Sequence, residues 1–143
     1  MLAGNSRGGL FVLYALTSDY LLFDSYFAHS PAFWRDDAKI VTQLEQFLRS
    51  EASVQANLFL SLGSEENDKM KAAFQLAETV LKNYAPTSLR WCSQRTSGAN
   101  HQTNAQLSTP TALLWAYAPL LDTVTKKSTQ SCASFERFVR NET

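Results

Sequence analysis

A serine set between glycines near the start of the chain, Gly4-Asn5-Ser6-Arg7-Gly8, has the G-x-S-x-G spacing of a nucleophile elbow. An elbow holds its serine on a sharp corner between a strand and a helix, so that the hydroxyl stands exposed at the sheet's edge. The corner crowds its own backbone, and glycines two positions either side of the serine are expected to relieve that crowding. The surroundings fit. Met1-Leu2-Ala3 is a short apolar stretch before the serine, and Gly9 leads into the apolar run from Leu10 to Leu16. The other reading of Ser6 is an ordinary helix N-cap, a position that favours serine.

A serine nucleophile needs a base to take its proton and an acid to hold that base in one tautomer. The chain supplies the order serine, acid, histidine: the acidic loop Glu65-Glu66 and Asp68 lies between Ser6 and His101. Glu66 is the first choice for the acid, ahead of Glu65 and Asp68. The competing reading for all three is a solvated loop whose charges favour the positive N-terminus of the next helix. His101 is the preferred base, and His29, the second of two histidines, is its rival. The backbone N–H of Arg7, next after the nucleophile, is the first oxyanion donor. The second comes from a loop after an earlier strand, which would precede residue 1. The Arg7 side chain either pairs with an anionic substrate group or lies on the surface. Phe33 and Trp34 either line a substrate pocket or form core beneath their loop.

These residues converge only if the chain builds a parallel sheet with crossover helices. Short apolar runs do alternate with longer helical patterns, so the expected class is α/β. Strands are expected at residues 1–4, within 24–29, at 58–62 and at 88–94. Helices are expected at residues 7–17, 37–49 and 68–84, with a last one capped by Thr109 and carrying Pro110 at its first position. The first of these is apolar all round and reads as a buried helix. Pro119 should kink or end the last one. In a parallel sheet the loops after successive strands emerge at one carboxyl edge, where open α/β sheets place their sites. Ser6, the Glu65-Glu66 loop, His101 and the Phe33-Trp34 loop all fall on that edge.

The bulk composition narrows the partners. The chain has 143 residues, 45% hydrophobic and 18% charged, with 13 basic and 13 acidic side chains. Zero net charge gives no electrostatic case for nucleic acid or an anionic membrane. No apolar run reaches the ~20 residues of a spanning helix. Cys92 and Cys132 are far apart, form no C-x-x-C, and read as two free thiols. No cofactor or metal is expected, and the implied partner is a small-molecule ester. From Thr123 the chain turns polar: residues 123–143 read as a tail, with a linker at 126–131 and a short helix at 135–139.

With these blocks in order, the chain resembles the serine esterase family of α/β hydrolases that includes esterase D and the bacterial siderophore trilactone esterases of the enterochelin type. The resemblance rests on Ala3-Gly4-Asn5-Ser6-Arg7-Gly8-Gly9-Leu10-Phe11 and Ser30-Pro31-Ala32-Phe33-Trp34. It continues through Leu58-Phe59-Leu60-Ser61-Leu62-Gly63-Ser64-Glu65-Glu66 and Gly98-Ala99-Asn100-His101. It implies Ser6 as nucleophile, His101 as base and Glu66 as third member, although some siderophore esterases use a Ser-His pair. Asn5 stands where relatives often carry histidine, and Ala99 where they often carry an acid. Residues 1–122 would then be the C-terminal part of a hydrolase domain, truncated before the elbow strand. An open edge beside that strand favours self-association. The expected activity is ester hydrolysis through an acyl-enzyme. An acyltransferase of the same fold and a non-catalytic remnant or interaction module are the alternatives. The resemblance leaves a cytoplasmic or periplasmic bacterial setting open.

Overall fold

The computed structural model describes residues 1–121. The expected tail at 123–143, Cys132 included, lies outside them. Four strands alternate with four α-helices in chain order: β1 (Leu2–Asn5), α1 (Arg7–Ser18), β2 (Ser25–His29), α2 (Lys39–Ser50), β3 (Ala56–Gly63), α3 (Asp68–Tyr84), β4 (Leu89–Thr96) and α4 (Asn104–Leu121). The strands form one parallel sheet in the order β1-β2-β3-β4. Asn5 is in register with His29, His29 with Ser61, and Ser61 with Gln94. The carboxyl ends therefore form one rim.

Alternation along the strands feeds two cores. Tyr26, Ala28, Leu58, Leu60 and Leu62 meet α1, α2 and α3 through residues such as Leu13, Leu44 and Phe74. Phe27, Phe59 and Cys92 face the other way and meet Ala112, Trp115 and Ala116 of α4. The result is three layers, with α4 alone on the second side among the described elements. Cys92 is disulfide-bonded, which corrects the expectation of a free thiol.

Three helices differ from their sequence reading. In α1, Phe11 and Tyr14 are 55% and 50% exposed, so it is not buried all round. It packs on β1, β2 and α2 through Val12, Leu13 and Leu16, and β1 is the edge strand of the described sheet. The second helix starts at Lys39 rather than Asp37, because Asp36, Asp37 and Ala38 hold left-handed φ values of 49°, 53° and 58°. The last begins at Asn104 rather than after Thr109. The Thr109 hydroxyl donates to the Ala105 carbonyl at 2.6 Å and caps nothing. Pro110 sits inside the helix, where it leaves only the Gln106 carbonyl without a helical donor, on an exposed residue.

Pro119 likewise lies within α4 rather than ending it. It has no N–H for the Trp115 carbonyl, and Arg90 of β4 fills that role: its Nη2 donates to Trp115 O at 2.6 Å. The guanidinium also lies 4.1 Å from the centre of the Trp115 ring. Arg90→Ala removes both contacts and leaves a carbonyl unpaired. It should cost about 2–3 kcal/mol in urea unfolding, and Arg90→Lys, which cannot stack its planar group, should recover only part.

Candidate active site

Ser6 follows β1 and precedes α1, with φ 56° and ψ −114°. A serine in this region carries about 1–3 kcal/mol of strain and persists only when its surroundings fix it. Three hydrogen bonds do so. The Ser6 N–H donates to His29 O at 3.0 Å, and the Ser6 carbonyl accepts from Leu10 N at 3.1 Å and Ala32 N at 3.0 Å. The glycine requirement is only half as expected. A Cβ on Gly4 would stand 2.4 Å from the Gly8 carbonyl carbon and oxygen, so Gly4 has to be glycine. Gly8 itself faces open space. The second tight position is Gly9, whose Cβ would meet Pro31 at 3.0 Å.

The acidic loop after β3 and the histidine loop after β4 are joined through their backbones. Ser64 N donates to Thr96 O and Glu65 N to Ala99 O, both at 3.0 Å, and Gly98 N donates to Ser64 Oγ at 2.8 Å. This brings His101 Nδ1 to 3.1 Å from Glu66 Oε1. Glu66 is buried, at 5% exposure, whereas Glu65 and Asp68 are exposed. Asp68 lies in the first turn of α3, whose N-cap is Asn67: its side chain accepts from Met70 N. Of the three candidate acids, then, only Glu66 meets a histidine.

Ser6, Arg7, Trp34, Arg35, Glu66 and His101 line one cleft of about 310 Å³ at the carboxyl rim. Arg7 is the first residue of α1, where helix geometry leaves the N–H without an internal acceptor. Trp34 is 41% exposed in this cleft, with the Arg35 guanidinium 5.5 Å from its ring centre. Phe33 is fully buried in the main core and is not among the cleft residues, so the pocket reading fails for it. Arg35, Asn67 and Met70 line the cleft without having been anticipated. Arg35 directly follows the aromatic pair, and that adjacency was the available signal.

His29, the rival base, points elsewhere. It is 3% exposed, its ring packs 6.1 Å from Phe59, and Nδ1 lies 2.8 Å from Ser61 Oγ and 2.9 Å from Ser108 Oγ. It does not line the cleft. Burial pulls its pKa from the ordinary 6.5 down to about 4. The unfolded chain takes up this proton near pH 6.5, and the folded one only near pH 4. Stability is therefore full above pH 6.5 and falls as pH drops towards 4, by about 3 kcal/mol for this residue. Urea unfolding at steps between pH 7 and 4 should show that loss, and a folded His29→Gln variant should lack this part of it.

A strand–elbow–helix corner carrying a serine, with a histidine–carboxylate pair in the same cleft, is the arrangement of an α/β hydrolase-type fold. Solved structures match this fold. The BES protein from Bacillus cereus aligns with a TM-score of 0.69 and 26% identity, over 80% of this chain and 43% of that one. An IroE-like serine hydrolase from Shewanella oneidensis shares the fold at TM-score 0.71 and 23% identity, over 78% of this chain and 37% of that one. In sequence, 68 residues are 41% identical to the siderophore enterobactin esterase of Emericella nidulans, 46% of this chain and 22% of that protein. The chain is thus a part-length match to an enterochelin-type, esterase-like family, spanning less than half of each of these relatives. No family model matches it.

Proposed function

We propose that this chain carries the nucleophile, base and acid of a serine carboxylic-ester hydrolase. The observation that carries the reading is a strained serine elbow sharing one cleft with a histidine whose Nδ1 meets a buried carboxylate. In this reading His101 Nε2 takes the proton of Ser6 Oγ as the oxygen attacks the ester carbonyl. Glu66 accepts the Nδ1–H, fixes the tautomer and stabilises the imidazolium that forms. The Arg7 N–H donates to the developing oxyanion. The proton then passes from His101 to the departing alkoxide, leaving an acyl group on Ser6. Water, deprotonated by His101, releases it as a carboxylic acid. The relative's name makes a siderophore ester the first substrate to try.

The test is mass spectrometry after exposure to a fluorophosphonate, which phosphonylates activated serines. One adduct per chain, absent in Ser6→Ala, is the expected result. A folded chain that takes up no adduct, or a Ser6→Ala variant that still does, overturns the reading.

A further inference from the structure

We propose that Asn104 is a positioning residue for His101, and that with Ser30 and Ser61 it forms a buried clamp registering the base's turn to the nucleophile's elbow. What the registration serves rests on the esterase reading above; the contacts themselves do not. Asn104 is fully buried at the start of α4. Its amide spends both hydrogens across the carboxyl rim, donating to Ser30 Oγ and to Ser61 Oγ, each at 3.0 Å. The two acceptors are tied to each other, since Ser30 N donates to Ser61 O at 2.7 Å. Ser30 directly follows His29, whose carbonyl takes the Ser6 N–H. The elbow and the helix behind His101 are thus fastened to adjacent residues at one strand end.

On the other side Asn104 is coupled to His101 through a closed turn. Asn104 N donates to Asn100 O at 3.0 Å, and Asn100 Oδ1 accepts from Gln102 N and Thr103 N at 3.0 and 3.2 Å. Asn100 already does the work of an N-cap for this turn. Asn104 is therefore not needed to start the helix, and an apolar side chain would suffice to fill its buried site. The remaining polar partners are directed as well. Ser108 Oγ donates to Asn104 O at 2.7 Å, so towards His29 it has only acceptor capacity left, and Nδ1, 2.9 Å away, is the protonated nitrogen of the neutral ring. Asn104 Oδ1 has no hydrogen-bond partner among the described residues, but the two directed Nδ2 bonds fix the position and rotation of α4 more tightly than apolar contact does.

With only two histidines in the chain, ¹⁵N-histidine NMR reads the clamp directly. In the unaltered chain the His101 Nδ1 proton should appear as a downfield, exchange-protected signal that Glu66→Gln removes. Asn104→Ala should move this signal towards that of a free imidazole below the melting temperature, with helix content retained. Ser61→Ala removes one acceptor and should give a smaller shift in the same direction; it decides the matter if Asn104→Ala does not fold. The rate of phosphonylation by the fluorophosphonate should fall about 10–100-fold, with the half-saturating probe concentration unchanged. A folded Asn104→Ala chain with the original His101 signal overturns the clamp, whatever its melting temperature, because a merely structural asparagine would lower Tm and leave that proton in place. If the unaltered chain does not react with the probe, the esterase reading falls, while the dependence of the His101 signal on Asn104 still decides the clamp.

Discussion

His101→Ala should slow acylation of Ser6 by about 10⁶-fold, and Glu66→Gln by about 10⁴-fold. In the proposed mechanism the first loses the group that takes the serine's proton. The second keeps the shape of the buried acid but offers an amide where the imidazole N–H needs a full negative charge. Glu66 is fully committed to this contact: it is buried, and among the described contacts His101 is its side chain's hydrogen-bonding partner. Stopped-flow release of p-nitrophenol from an activated ester measures both rates. Glu65→Gln and Asp68→Asn belong beside them, and each should stay within a few-fold of the unaltered chain because both side chains are exposed. A loss in either that matches Glu66→Gln would reassign the acid.

Gly63→Ala should be a damaging substitution despite its small size. A Cβ there would stand 2.3 Å from Ala99 O and 2.8 Å from Ala99 C, with Asn100 N at 3.2 Å. All three are backbone atoms of the loop that carries His101, so no side chain can swing aside. The loop has to move by about 1 Å, which misplaces His101 and, in the proposed mechanism, costs roughly 100-fold in acylation. It also opens the hydrogen bonds between the two loops, and overpacking of this kind costs about 1–3 kcal/mol. Differential scanning calorimetry should show Tm lowered by several degrees, together with the slower reaction. Gly8→Ala is the matched control. It sits in α1 with open space around it, so helix propensity predicts a gain of about 0.5–1 kcal/mol.

The sequence made some of this architecture readable and left other parts hidden, for local reasons. The third helix spans Asp68–Tyr84 as expected, because Asn67 caps it and Pro86 follows it, and periodic apolar residues fill the interval. The start of α4 was hidden because Thr109-Pro110 imitates a helix entrance. The turn that leads into it is closed by Asn100, in a polar stretch with no apolar period to mark it. Left-handed backbone at Asp36, Asp37 and Ala38 has no glycine to announce it. His29 ends a strand and His101 follows one, and nothing in their spacing says which ring is buried. Strand parity held the answer, since His29 shares a face with Phe27, and Phe27 packs in the core beneath α4. The cleft partners Arg35 and Asn67 depend on how loops fold over one another, which no periodicity encodes.

The two layers of helix are unequally anchored. On one side, twenty-three buried residues lock α1, α2 and α3 to the sheet. On the other, among the described residues, six buried side chains and the polar cluster around His29 hold α4. The chain crosses from one side to the other only once among the described residues, over the rim between β4 and α4, and His101 lies in that crossing. Local opening draws on the least buried cooperative unit first. A fluctuation that lifts α4 while the larger core stays closed would carry the base away and leave Ser6 on its elbow, held by bonds to β2 and the loop beyond it. Under the proposed mechanism, that opening would leave the serine present and unactivated, short of unfolding.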